Sequence, residues 1–201
     1  MGRHKNYDRA EIAQKAMEVF WRDGFHGTST QALVEAMGVN RFSVYAEFGS
    51  KQKLYEAALA AYDQDVVTAH FQAIESAQAG LPDIEAMFNG LSDAAGQPGS
   101  ELGCFMCNCA TERAPYDPGS QRFVHQHVER ISAALANALR NAQNAQDIRA
   151  DVDVVQQGQF LATLLLGVFV LLRAQVSADV VGASAQAALQ HVRQLRSEHL
   201  A

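Results

Sequence analysis

The sequence predicts an all-α protein of about nine helices, arranged as a small N-terminal domain and a larger helical body. Three observations carry that expectation. Only four prolines interrupt 201 residues, while alanine and leucine recur and runs of β-branched residues are few. Apolar residues return at three- and four-residue spacing in one segment after another. Between those segments stand the glycines, prolines and small polar residues that start and stop helices. With 48% hydrophobic residues, the chain can bury substantial cores.

Asp8 followed by Glu11 reads as a capping box, with Asp8 accepting from the third helical N–H and Glu11 reaching back. Ile12, Ala13, Ala16, Met17, Val19 and Phe20 then keep helical period as far as Gly24, a natural stop. A second helix is expected from about Gln31 to Met37 and a third from about Arg41 to Phe48, separated by Gly38, Val39 and Asn40. Ser50 can cap a long fourth helix from Lys51 through Leu54, Ala58, Ala61 and Tyr62 into the seventies. Later breaks at Gly80 and Pro82, at Gly96, Pro98 and Gly99, and at Pro115, Pro118 and Gly119 leave helices near 83–95, 102–113 and 119–145. Asp153, with Gln156 three residues on, starts a helix over about 154–175, and Ser177 or Asp179 starts the last. The domain boundary is expected after Lys53, giving domains 1–53 and 54–201.

The net charge of −6 does not by itself suggest a polyanion-binding protein, but it averages two unlike parts. Residues 1–53 hold eight Lys/Arg (Arg3, Lys5, Arg9, Lys15, Arg22, Arg41, Lys51, Lys53) against six Asp/Glu, a net of +2, leaving −8 for the other 148. A mildly basic unit on an acidic body suits local phosphate contact. No basic-then-apolar leader opens the sequence, and the longest apolar run, Phe160 to Leu172, is thirteen residues, short of the roughly 20 a membrane span needs. Three cysteines within six residues do not make a secreted disulfide framework. A cytoplasmic protein with no membrane association is expected. No nucleophile–base pair, paired carboxylates or phosphate-cradling loop points to an enzyme, and no cofactor is implied.

The segment from Thr28 to Lys53 is the most specific in the chain. Thr28, Ser29 and Thr30 precede the second helix, so one can cap it while the others face outward, and a helix N-terminus presented this way binds phosphate. Ala32, Leu33 and Ala36 can face the first helix, with Gly38 supplying the left-handed turn of a sharp helix corner. Val44 and Phe48 point inward from the third helix, leaving Arg41, Phe42, Ser43, Tyr45, Ala46 and Glu47 outward or lateral. Such a face suits a major groove, where arginine reads guanine and an apolar edge meets a thymine methyl. By periodicity alone the same segment also fits an ordinary three-helix corner.

The run GTSTQALVEAMGVNRFSVYAEFGSK, preceded by AMEVFWRDGF, resembles the tetracycline-repressor (TetR) family of bacterial transcriptional regulators. The match is dense over about residues 9–62. It continues more loosely through Gly103, Cys104, Phe105, Asn108, Glu112, Ala114 and Pro115, and through Gly158, Leu166, Gly167, Val168, Leu172, Arg173 and Ala174. The resemblance implies a three-helix DNA-binding domain and a helical body that dimerises and binds an effector, with a two-fold operator read in successive major grooves. By position it implies backbone contacts from Thr28, Thr30, Tyr45 and Lys51, and base-facing places for Gln31, Arg41, Phe42, Ser43 and Ala46. Two residues depart from the pattern. Phe42 stands where the family often has a small residue, and Glu47 sits near phosphates, unfavourably unless it pairs with Arg41 or Lys51 or accepts from a cytosine amino group.

In the body, the run Phe160 to Leu172 is apolar on every side, so it is either the core helix of a monomer or covered on its second face by another copy. A homodimer is the better reading, with Leu164, Gly167, Val168 and Leu171 meeting Leu189 and Val192 of the last helix. Cys104, Cys107 and Cys109 read first as buried packing, which fits the Gly-Cys pair that recurs at this place in the family. A thiol or metal sensor is the alternative, since a cysteine near a helix N-terminus can ionise readily. His125 and His127 diverge by about 200° on a helix and make poor co-ligands. An unknown small-molecule effector is expected in a cavity walled by Tyr62, Phe71, Met87, Phe88, Phe105, Met106, Phe123 and Phe160, whose apolar character favours a hydrophobic or aromatic ligand.

Overall fold

A computed structural model of the chain describes residues 8–197; Arg3 and Lys5, counted above among the basic residues, lie outside the described residues. Among the described residues there are nine helices and no strand, only one isolated bridge between Ile148 and Arg196. They are α1 (Arg9–Gly27), α2 (Thr30–Met37), α3 (Arg41–Phe48), α4, α5 (Leu81–Ala94), α6 (Phe105–Glu112), α7 (Pro118–Asn144), α8 (Val154–Arg173) and α9 (Ala178–Gln194). The helix α4 begins as Lys51–Tyr62 and runs through a π-helical turn at Asp63–Val67 into Thr68–Phe71. The chain divides into two compact units. Among the described residues, one comprises 8–69 together with Asn108–Val124, the other His70–Cys107 together with 125–197. This division does not coincide with the single boundary expected after Lys53, because the end of α6 and the start of α7 pack with the N-terminal helices.

In the N-terminal unit, α1 packs on α2 and α4. Ile12, Ala16 and Phe20 lie one turn apart on the inner face of α1, and Leu54, Tyr55, Ala58 and Leu59 oppose them from α4, all at most 2% exposed. Each such large apolar side chain contributes about 1.5–3 kcal/mol relative to exposure. Leu33 and Met37, rather than Ala32 and Ala36, form the buried stripe of α2, and Val44 and Phe48 that of α3. Asp8 caps α1 by accepting from Ala10 N at 3.0 Å, but Glu11 does not close the capping box; it pairs with Lys15 at 2.6 Å. Helical geometry breaks at Gly24 (φ 74°, ψ 173°), where a stop was expected, and the chain turns on to Gly27 before leaving α1.

In the second unit, α9 packs on α5 and α8. Asp153 caps α8 as its sequence suggests, accepting from Val155 N and Gln156 N. By length and composition α8 could cross a membrane. Its inner stripe of Leu161, Ala162, Leu165, Val168 and Leu172 is instead buried in this unit. Gly158 lies so close to α7 that a Cβ would fall 2.8 Å from Ser132 O and Ala136 N. Val168, expected on a dimer face, therefore belongs to the unit's own core. So do Leu189 and Val192, which are fully buried on the inner stripe of α9 with Val181, Ala185 and Ala188. The opposite face of α8 leaves Phe160 43% and Val170 48% exposed, with Gly167 exposed and Leu164 and Leu171 half-buried between them. α6 begins at Phe105, not near residue 102: a 3-10 turn, Ser100–Leu102, and Gly103 (φ 60°) come first, with Gly103 pressed against Phe169 O.

Candidate nucleic-acid interface

The corner α2–α3 is built by three local devices. The Ser29 side chain accepts from Ala32 N at 3.0 Å and starts α2, Gly38 ends it in the left-handed conformation (φ 68°), and Asn40 starts α3 by accepting from Ser43 N at 2.8 Å. With Val44 and Phe48 turned inward, Arg41, Phe42 and Ala46 are exposed on α3 and Ser43 and Tyr45 lie half-buried beside them. Phe42 is 84% exposed, the largest apolar surface offered by this helix. The Arg41 guanidinium lies over the Tyr45 ring at 5.5 Å, and the Tyr45 hydroxyl lies 3.2 Å from Thr30 Oγ1, tying the outer edges of α2 and α3 together. Gln31 is exposed and donates to Glu35 at 2.9 Å. Glu47 is neutralised by a residue not foreseen: Arg9 pairs with it at 3.3 Å.

Two expected backbone contacts are placed differently. Thr28 is 2% exposed, and its hydroxyl donates to Gly24 O, so the side chain closes the end of α1 instead of facing outward. The Lys51 ammonium donates to the carbonyls of Phe25 and Thr28, each at 2.5 Å, and lies over the Phe25 ring at 4.5 Å. Burial lowers the Lys51 pKa, with Glu112 pulling it up and Arg113 pushing it down. Lys51 thus holds the segment before α2 in place.

Glu112, a residue the sequence did not single out for this role, completes that anchorage. Its carboxylate accepts from Phe25 N and His26 N, both at 2.8 Å, just past the break at Gly24. A Cβ at position 24 would lie 2.9 Å from Glu112 Oε2, so the backbone there is free of side chain where the carboxylate approaches. Arg113 next to it lies over Phe25 at 4.4 Å and donates to Gln52 Oε1 at 2.7 Å, while Gln52 donates to Asp117 and Ser120. The chain entering α2 is therefore clamped by two charged groups of opposite sign, Lys51 on its carbonyls and Glu112 on its amides.

The three cysteines are free and buried, and they divide between the two units. Cys109 faces Tyr55 and Ser120, and burial, the largest influence, raises its pKa. Cys104 immediately precedes α6, with its sulfur 3.6 Å from Nε2 of His127, a residue only 3% exposed. Burial pushes the Cys104 thiol up, but hydrogen bonds from the Cys107 thiol and His127, the charge of the imidazole and the Cys107 backbone N–H outweigh it and hold the pKa well below the ordinary value. Cys107 is raised in turn, first by its bond to Cys104 and then by burial. Sequence reading set His127 aside because His125 diverges from it. Its period with Ile131, Leu135 and Ala138 on the inner stripe of α7 was the available signal. Among the described residues no group of three or more His, Cys, Asp or Glu is arranged to hold a metal.

The residues expected to wall one effector cavity divide between the two units. Tyr62 and Phe123 belong to the N-terminal unit, where Tyr62 packs edge-on against Trp21 at 4.9 Å. Phe71, Phe88, Phe105 and Met106 are buried in the second unit and Met87 is half-buried there. Phe160 meets the His191 ring edge-on at 4.8 Å on the exposed side of α8, away from the buried Leu161 and Leu165. An open cleft of about 280 Å³ in this unit is lined by Gly96, Gln97, Glu101, Leu172, Gln175 and Val176 among others, and by none of the eight.

Comparison with known proteins agrees with this architecture. Residues 12–58 match the family described as "Bacterial regulatory proteins, tetR family", and residues 80–189 match "Tetracyclin repressor-like, C-terminal domain". The chain is 28% identical to the uncharacterized HTH-type transcriptional regulator YezE of Bacillus subtilis, over 90% of this chain and 92% of that protein. It is also 28% identical to the HTH-type transcriptional repressor ComR of Escherichia coli, over 89% of this chain and 85% of that protein. Among solved structures, a cysteine mutant of the TetR family regulator CifR, complexed with 26-base-pair double-strand operator DNA, superposes with a TM-score of 0.80 at 26% identity, covering 94% of this chain and 98% of that one.

Proposed function

As the chain belongs to the tetR family of bacterial regulatory proteins, we propose that it is a dimeric transcriptional repressor acting in the cytoplasm, released from a pseudo-palindromic operator by a chemical signal. The observation that carries the reading is the exposed face of α3. Arg41 and the 84% exposed Phe42 stand clear of the unit's core on a helix fixed at both ends by Asn40 and by the inward Val44 and Phe48. A helix so presented fits a major groove, with Arg41 pairing to guanine, Phe42 against a thymine methyl and Thr30 and Tyr45 toward the backbone. The exposed band Phe160, Gly167 and Val170 on α8 supports a second copy as its cover. Two copies turn one weak contact into a pair at fixed spacing. A signal that shifts that spacing needs only about 2.7 kcal/mol of coupling to lower affinity 100-fold.

The test is selection of an operator from random DNA followed by binding of Arg41→Ala. Loss of about 1–3 kcal/mol on the selected site, with little change on random DNA, is the expected result. Equal binding of the two DNAs by both proteins would end the assignment of the reading helix. A small hydrophobic effector in the second unit is one source of the signal. The approach of His127 to Cys104 at 3.6 Å favours a second, thiol chemistry.

A further inference from the structure

Resting on the reading of the chain as an operator-binding regulator, we infer that Cys104 and Cys107 form a peroxide-modified thiol pair, Cys104 attacking and Cys107 resolving, whose oxidation releases the operator. Four features of the second unit converge on that pair. Cys104 lies directly before α6 and Cys107 within its first turn. Residues three apart in a helical turn have Cα atoms about 5 Å apart, inside the span a disulfide bridges. The Cys107 thiol and its backbone N–H both point at the Cys104 sulfur, where the N-terminal end of the helix also favours negative charge. The third feature is His127. Its Nε2 reaches the Cys104 sulfur while its Nδ1 is buried without a hydrogen-bond partner. The tautomer protonated on Nδ1 turns the Nε2 lone pair toward the Cys104 thiol, so the ring can take up that proton, hold it as an imidazolium beside the thiolate and return it. Finally, Cys109 lies in the other unit, facing Tyr55 and Ser120, and is no rival for the bridge.

The chemistry closes with a hydroperoxide as oxidant. The Cys104 thiolate attacks one peroxide oxygen; the S–O bond forms, the O–O bond breaks, and the departing hydroxide or alkoxide takes the proton held on His127. The Cys107 sulfur then attacks the Cys104 sulfenic acid; the S–S bond forms, the S–O bond breaks, and water leaves with the Cys107 proton. Two thiols are oxidised to one disulfide, and the peroxide is reduced to water plus water or alcohol. Burial of both sulfurs selects small neutral peroxides and excludes bulky disulfides such as oxidised glutathione.

The bridge alters the first turn of α6. It replaces the sulfur that caps Cys107 N–H and removes the thiol that lies 3.8 Å from Leu166 O of α8. The preceding Gly103 is already wedged against Phe169 O and cannot absorb the change by moving inward. α6 has only eight residues, and its last, Glu112, supplies the carboxylate on Phe25 N and His26 N. One short helix thus carries the reactive pair in its first turn and the clamp on the DNA-reading segment in its last.

The experiment treats the reduced full-length chain with hydrogen peroxide and follows intact mass, a non-reducing peptide map and binding to the selected operator. The expected product is about 2 Da lighter, bridged between Cys104 and Cys107 with Cys109 still alkylated, and binds operator at least about tenfold more weakly until dithiothreitol restores it. Cys109→Ser responds as the parent does. Cys107→Ser stops at a sulfenic acid, about 16 Da heavier and trapped by dimedone. His127→Gln reacts slowly at neutral pH and recovers as the pH is raised toward that of an ordinary thiol. A bridge that forms without changing operator binding, a bridge through Cys109, or a His127→Gln rate profile identical to the parent's would overturn the inference. Failure of the reduced chain to prefer any DNA sequence would instead sink the regulator reading itself.

Discussion

At the residue scale, a few side chains take their tasks from their surroundings. Arg41 and Phe42 are free to read bases because Val44 and Phe48 carry the packing of α3. Phe42→Ala should therefore leave folding unchanged and relax preference at one thymine by about 1–3 kcal/mol, measured by competition between operators differing at single positions. Glu112→Ala should do the converse. It strands two backbone N–H groups, costing about 1–3 kcal/mol in denaturant unfolding, and weakens operator binding without changing which bases are preferred. Burial pushes the Tyr55 phenol far above its ordinary value, with Cys109 and Glu112 adding to the rise. The folded state then keeps a proton that the unfolded chain loses above about pH 10, so this stability is present at neutral pH and falls as pH rises beyond that point. Tyr55→Phe should flatten that alkaline limb in unfolding curves. The exposed residues of α3 were legible in sequence because exposure follows from helical period. The roles of Thr28, Lys51 and Glu112 were not, since each depends on where the chain goes after the break at Gly24, a backbone geometry that no periodicity encodes.

At the element scale, capping and spacing explain most of what could be foreseen. α3, α7 and α8 begin where Asn40, Pro118 and Asp153 begin them, and the inner stripes of α1 and α4 follow the three- and four-residue apolar period. α6 escaped because Gly103 takes a positive φ against Phe169 O, delaying a helix that composition alone would start earlier. The run 160–172 shows the other limit. Its all-round apolarity marks a helix, but composition cannot say which residues face inward, and Val168 lies on the buried stripe of its own unit. Gly158→Val tests the inner face. Its side chain would be driven into Ser132 O and Ala136 N of α7, so a loss of more than about 1–3 kcal/mol in thermal or denaturant unfolding is expected, beyond ordinary overpacking because the obstacle is backbone. Val170→Lys tests the outer face: the variant should fold normally and sediment as a monomer at micromolar concentrations at which the parent is expected to sediment as a dimer.

At the scale of the whole molecule, a +2 N-terminal segment and a −8 remainder favour local phosphate contact over general affinity for nucleic acid. Each copy neutralises few phosphates, so operator affinity should fall only moderately with salt, and Arg41→Ala should change specificity more than it changes the slope of log affinity against log salt. Useful occupancy then depends on two copies engaged together, which links the exposed band of α8 to the exposed face of α3. The most direct measurement is footprinting on the DNA flanking the chain's own gene, with the protein at concentrations spanning its dimerisation. Protection of two half-sites related by a two-fold axis, lost together in both Arg41→Ala and Val170→Lys, is the predicted result. A single unpaired half-site, or a footprint that survives Val170→Lys at full strength, would contradict it.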